Sequence, residues 1–158
     1  MSTGYSENNL IRRVQSIADF QFGGGCGVCV FPDGCHFILS STGRIRQIMF
    51  GTARLATVRA QDGRLTLGIE GARRLHKSLH CPQSRVIVSD EVADIVAAGK
   101  NVFAKHVAGA DAGIRVGDEV LVTAGGDRLL ACGTAILSGA EMLAFNYGGA
   151  VKVRQGSE

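Results

Sequence analysis

Apolar residues Leu10, Ile11, Val14, Ile17 and Ala18 recur at helical spacing, so Glu7 to Phe20 is predicted as an amphipathic helix, stopped by the run Gly23-Gly-Gly25. The period then changes. Gly27–Phe31, His36–Leu39, Arg44–Phe50, Ala53–Ala60 and Leu65–Leu67 read as short strands separated by Pro32-Asp-Gly34 and Gln61-Asp-Gly63 turns. Helical spacing returns over Glu70–Leu79, where Ala72, Leu75 and Leu79 share one face and Arg73, Arg74 and Lys77 point away. Pro82 disfavours helix in the residue before it, which makes His80–Ser84 the expected boundary between domains at 1–81 and 82–158.

The pattern restarts at Arg85. A strand is predicted over Arg85–Val88, then a short helix over Glu91–Ala98 capped by Ser89 or Asp90 and ended by a left-handed Gly99. Val102–Val107, Glu119–Thr123, Leu129–Ile136 and Ala150–Val153 read as further strands, with a hairpin at Gly125-Gly126-Asp127 and a turn or helix at Ser138–Leu143. Asp118 is expected to shape the Val116-Gly117-Asp118 turn. The expected fold class is therefore an α+β N-terminal domain followed by a mostly-β pseudo-barrel, whose closure hides strand edges.

Composition agrees with a folded chain. Of 158 residues, 46% are hydrophobic and 20% charged, and 22 glycines against 2 prolines suit many short strands. No apolar run reaches the roughly 20 residues that span a bilayer, and the Met1–Glu7 segment lacks a signal-peptide pattern, so a cytoplasmic location is expected. The five cysteines, an odd number, argue against a disulfide framework.

Charge changes the picture more. Residues 1–80 carry ten Lys/Arg and five Asp/Glu, whereas residues 81–158 carry seven and nine. The basic excess lies in the first half, and Arg44, Arg46, Arg73, Arg74 and Lys77 are its candidates for phosphate contact; the alternative is an ordinary solvated face. Cys26-Gly-Val-Cys29 has the spacing of a half zinc site, with Cys35 or His36 as further ligands. It lacks the second matching pair, so thiols that fill space are the preferred reading and no cofactor is expected. His76, His80 and His106 have no recognisable nucleophile partner, and no complete active site is visible.

The strand, short helix, Gly99-Lys100 turn and following strands of residues 83–155, closing with Gly149-Ala-Val-Lys-Val-Arg154, resemble the PUA family of RNA-binding domains. Ile17-Ala-Asp-Phe-Gln-Phe-Gly23, Ser41-Thr-Gly-Arg-Ile-Arg46, Gly71-Ala-Arg-Arg-Leu75 and Leu137-Ser-Gly-Ala-Glu-Met142 extend the resemblance to the C-terminal portion of archaeal tRNA-guanine transglycosylases, which start archaeosine formation. The resemblance implies that residues 1–80 are the small domain preceding PUA; the catalytic barrel with its paired aspartates is absent, since no stretch here is long enough for it. A related archaeosine synthase uses Pro-Cys followed by Lys-Pro-Tyr; here Cys81-Pro82 stands in reversed order and Lys-Pro-Tyr is missing, so that activity is not carried over.

The same resemblance implies an RNA surface at the helix-to-strand turn and the last strand. Its candidates are Gly99, where the backbone can approach a phosphate or ribose, Lys100, Val102, Phe103, Lys105, Lys152 and Arg154. Strand alternation puts Lys152 and Arg154 on one solvent-facing side. Phe103, between Val102 and Ala104, is expected in the core; the alternative is a ring that stacks on an unpaired base. The leading expectation is a non-enzymatic binder of structured RNA, foremost tRNA, acting either as a stand-alone module or as the non-catalytic subunit of an archaeosine transglycosylase system whose catalytic subunit is separate. A translation factor acting on initiator tRNA or the ribosome, and a zinc protein using Cys26 and Cys29, are the alternatives.

Overall fold

The computed structural model describes residues 7–158; the first six residues, and so most of the segment read above for a signal peptide, lie outside the described residues. The chain divides into two compact units, Met1–Ser78 and Leu79–Glu158.

In the first unit, helix α1 (Glu7–Phe22) buries Leu10, Val14, Ala18 and Phe22, the face that the apolar spacing marks out. The next element corrects a sequence expectation. Residues predicted as a strand over 27–31 instead form a short helix, α2 (Cys26–Val30). Two contacts with α1 decide this. Asp19 Oδ1 accepts the Gly27 N–H at 2.7 Å, satisfying a first-turn amide that a strand would have used elsewhere. Gly27 also lies against α1 so closely that a Cβ would come within 2.2 Å of the Gln15 carbonyl oxygen. Strands β1 (His36–Leu39), β2 (Ile45–Phe50), β3 (Ala53–Val58) and β4 (Leu65–Leu67) follow as an antiparallel sheet in sequence order. Helix α3 (Ile69–Ser78) buries Ile69, Ala72 and Leu75. Burying each Leu or Ile side chain contributes roughly 1.5–3 kcal/mol, so this shared core stabilises the helices far more than their propensity does.

The second unit opens with β5 (Arg85–Val88), a 3₁₀ turn at Asp90–Val92 and α4 (Ala93–Ala97). Neither Ser89 nor Asp90 caps this helix as expected. The Ser89 side chain makes no capping bond, and Asp90 Oδ1 instead accepts the Gly125 N–H at 3.0 Å. The strand expected over 102–107 is also broken: β6 is only Val102–Phe103, a 3₁₀ turn spans Ala104–His106, and β7 covers Val107–Ala110. Strands β8 (Glu119–Ala124) and β9 (Arg128–Ala135), helix α5 (Gly139–Ala144) and β10 (Gly149–Gly156) complete the unit.

Strand order is β6-β10-β9-β8-β5-β7, with β5 and β8 parallel. The break in the 102–110 segment now has a reason. Its first half pairs with β10 and its second with β5, so one continuous stretch supplies both edges and the sheet nearly closes on itself. Val86, Val88, Val102, Val120, Val122 and Leu130 are among the side chains that fill the interior. The unit is a nearly closed β pseudo-barrel.

One buried cation anchors its start. Arg85 is 1% exposed; its Nε and Nη2 donate to Asp127 Oδ1 and Oδ2 at 2.8 and 3.1 Å, and its remaining N–H groups reach the Gln83 and Leu79 carbonyls at 2.9 and 3.0 Å. This forked pairing ties the first strand to the β8–β9 hairpin. Asp127 takes a left-handed φ of 59° to present its carboxylate, a conformation that Asp tolerates better than most residues.

Candidate nucleic-acid interface

The turn after α4 forms as the sequence indicates. Gly99 has φ 103°, and the N–H groups of Gly99 and Lys100 bond back to Val96 and Ile95 at 2.9 and 3.3 Å. Lys100 then lines a groove of 520 Å³ together with Val92, Ile95, Asn101, Phe103 and His106. Asn101 Oδ1 accepts the Val153 N–H at 2.9 Å, which seats the last strand beside this turn.

Two candidates change character here. Phe103 is 50% exposed, so the core expectation for it was wrong. Val102 is 1% exposed and packs in the core beneath the same groove, which it also lines. Strand alternation explains both: Val102 points inward, and the next side chain must point out. Lys100, Lys105 and Lys152 are exposed, and among the described residues none has a carboxylate partner. Their charge is available to an anion.

Arg154 lies on the exposed side with Lys152, as expected, but its charge is engaged. Its Nη1 and Nη2 donate to Glu119 Oε2 and Oε1 at 2.7 and 2.5 Å, and Nη2 also reaches Thr134 Oγ1 at 3.0 Å. Lys152 pairs with Thr134 and Thr134 with Glu119, so Arg154, two residues after Lys152, reaches both from the same face of the sheet. Burial works against its charge, but the hydrogen bonds and charge of Glu119 outweigh this and hold the guanidinium above its ordinary pKa. The Glu119 side chain is 3% exposed, so Arg154 neutralises an internal carboxylate.

In the first unit, a shallow groove of 860 Å³ gathers Arg13, Arg44, Arg46 and Arg59. The turn that carries Arg44 is fixed by its N–H bond to Ser40 Oγ at 3.1 Å and by the Ser40 N–H bond to its carbonyl at 2.7 Å. Arg59 is shared with Asp62 at 2.8 Å. Arg44 and Arg46 are exposed, and among the described residues neither side chain has an acidic partner. Four guanidinium-bearing residues around one open groove form a surface suited to phosphates. Arg13 and Arg59 were visible in the sequence only as part of the basic excess, because only the fold brings α1 and the end of β3 to the Arg44 turn.

Arg73, Arg74 and Lys77 lie apart from that groove, around a second of 410 Å³ that also includes Cys29 and Glu70. Arg73 pairs with Glu70 at 3.2 Å, and the Arg74 guanidinium sits 4.9 Å from the centroid of the Phe50 ring. Lys77 is exposed.

The cysteine motif does not assemble a metal centre. Among the described residues, no three His, Cys, Asp or Glu side chains gather where they could hold a metal ion. Cys26 and Cys35 are buried, while Cys29 is exposed. Burial raises the Cys26 thiol above its ordinary pKa and pushes Cys35 up to about 11, against the opposing charge of Arg74. Such thiols stay protonated and inert at neutral pH. Among the described residues, no helix is long and apolar enough to cross a membrane.

An α+β unit followed by a six-stranded pseudo-barrel with a glycine-lysine turn beside its last strand defines a PUA-domain protein. Residues 84–156 match the model of the PUA domain, and residues 12–82 match that of the patch-forming domain C2 of tRNA-guanine transglycosylase. The chain is thus a patch-forming C2 domain followed by a PUA domain, and it matches the C-terminal quarter of archaeal tRNA-guanine(15) transglycosylases. It is 52% identical to that of Pyrococcus abyssi over 96% of this chain and 26% of the relative, and 46% identical to that of Methanothermobacter thermautotrophicus over 91% and 22%. It therefore spans about a quarter of the length of the curated relatives it matches. A hypothetical protein of Pyrococcus horikoshii shares the fold with a TM-score of 0.72 and 22% identity, covering 94% of this chain and 90% of that one. A conserved PUA domain protein from Thermoplasma acidophilum does so with a TM-score of 0.65 and 17% identity, covering 96% and 90%.

Proposed function

We propose that this chain is a tRNA-binding module of a transglycosylase system that modifies guanine in tRNA, with the base exchange carried out by a catalytic region or subunit not contained in these residues. The observation that carries the reading is the coincidence of the family match with two open cationic surfaces. The Arg44–Arg46 groove supplies phosphate contacts that are insensitive to sequence. The Lys100–Phe103 groove supplies a charge beside an exposed ring and an apolar floor, which suits the ribose and base of an unstacked nucleotide. The glycine backbone at Gly99 lets RNA approach closely, with Lys105 and Lys152 adding charge around it. In this reading the C2 unit grips, the barrel sets position, and neither cuts or forms a bond. The setting is the cytoplasm, where tRNA is modified.

The test is fluorescence anisotropy of labelled tRNA across a salt series. Binding should fall steeply with salt, and Arg44→Glu with Arg46→Glu should reduce the slope of log affinity against log salt by about 2, since each lost phosphate contact removes about 0.9. Weak, salt-insensitive binding equal to that of an unrelated acidic protein would refute the proposal. Preference for initiator tRNA over other tRNAs would redirect it to translation.

A further inference from the structure

A second aromatic feature lies outside every residue assigned so far. Phe145 and Tyr147, in the loop between α5 and β10, hold their rings 6.0 Å apart at 15° to one another. Tyr147 is 73% exposed and Phe145 39% exposed, and neither is among the buried residues that fill the barrel. A solvated Tyr and Phe stacked nearly parallel leave a flat π surface facing water, where hydrophobic burial alone would turn the rings inward.

The loop is held at both ends. On one side the Phe145 N–H bonds to the Glu141 carbonyl at 2.9 Å and ends α5, whose far end is fixed by a capping box between Ser138 and Glu141. On the other, the Gly148 carbonyl accepts the Ala104 N–H at 2.9 Å and Gly149 pairs with Phe103. The rings therefore project from a fixed frame beside the strand that carries Phe103. Lys105, next to Ala104, adds a positive charge without a carboxylate partner among the described residues.

We infer that Phe145 and Tyr147 form a stacking platform for an unpaired nucleobase, a second RNA subsite beside the Lys100–Phe103 groove. The inference rests on the tRNA-binding reading and deepens it, naming single-stranded rather than duplex RNA as the ligand of this part of the barrel. A ring pair with an open face and a nearby ammonium suits a base and its phosphate, because every base offers a π face and stacking needs no particular sequence. A protein partner would use the same rings as apolar anchors; Lys105, which follows the Ala104 whose N–H bonds the Gly148 carbonyl, favours the polyanion.

The chain reports on its own platform, having no tryptophan and two tyrosines, Tyr5 and Tyr147. In a Tyr5→Phe background, Tyr147 is the sole tyrosine, and its emission is read apart from that of the phenylalanines by excitation at longer wavelength. Titration with a single-stranded oligoadenylate about 10 nucleotides long should quench its emission, and an RNA duplex of similar length should not. Tyr147→Leu should weaken oligoadenylate binding roughly tenfold or more while leaving duplex binding and the melting temperature unchanged. If oligoadenylate binds equally well to Tyr147→Leu and leaves Tyr147 emission untouched, the platform is wrong, although the tRNA-binding reading stands. If Tyr147→Leu instead dissolves a dimer seen by sedimentation and leaves RNA binding alone, the patch is a protein interface and the inference is overturned. If neither oligoadenylate, duplex nor tRNA binds the unsubstituted chain, the tRNA-binding reading fails and takes the platform with it.

Discussion

Replacing Arg154 with Ala separates a structural arginine from an RNA-contacting one. The substitution removes two charged hydrogen bonds to Glu119 and one to Thr134, and leaves a carboxylate whose side chain is 3% exposed without its counter-charge. Removing one partner of a buried pair costs about 3–5 kcal/mol. The lower end applies here, because Thr134 Oγ1 still reaches Glu119 Oε1 at 3.2 Å and the Arg154 side chain is itself 28% exposed. A loss of about 3 kcal/mol in a unit of this size lowers the melting temperature by roughly 12–24 °C. Circular dichroism melting measures this directly. Glu119→Leu combined with Arg154→Met, which removes both charges and keeps most of the volume, should recover much of the loss. Assayed well below its lowered melting temperature, Arg154→Ala should bind tRNA nearly as the parent does. The reasoning is refuted if Arg154→Ala melts within about 2 °C of the parent and loses tRNA affinity tenfold.

Asp127→Ala should destabilise the barrel by about 3 kcal/mol or more, because it strands the buried Arg85 guanidinium; urea denaturation checks this, and Asp127→Asn should fall between Ala and the parent. Gly27→Ala should cost about 1–3 kcal/mol in the first unit, since the added Cβ would meet the Gln15 carbonyl at 2.2 Å, again read by denaturation. With a thiol reagent at neutral pH, Cys29 and Cys81 should react first, and Cys26, Cys35 and Cys132 only on unfolding, as mass spectrometry of the labelled peptides resolves. The Cys35 thiol needs the pH to approach its value of about 11 before its thiolate forms in the folded chain.

Much of the fold was legible because its signals are local. The helical face of α1, the Gly99 stop and the hairpin at Gly125–Asp127 each follow from a few neighbouring residues. The segments that misled depend on contacts distant in sequence. Gly27 reads as part of an apolar strand until α1 is placed against it. Val102–Val107 reads as one short run after the Gly99 turn, and only the need to pair with β10 at one end and β5 at the other breaks it. The candidate site divides in the same way. Lys100 is recognisable from the glycine turn before it. Arg154 and Lys152 look equivalent two residues apart, and nothing near them in sequence announces that the sheet brings Glu119, 35 residues away, within reach of one of them. Phe103 looked like core by its neighbours, yet the buried Val102 on one side forces its ring outward.

The central claim is that this chain binds tRNA, and ultraviolet crosslinking of the purified protein to total cellular RNA tests it most directly. Sequencing of the bound species should recover tRNA well above its share of the input, with crosslinks in the Lys100–Lys105 segment and around Arg44–Arg46. Recovery of ribosomal or messenger RNA in proportion to abundance, or no crosslink above that of an unrelated basic protein, would contradict the account.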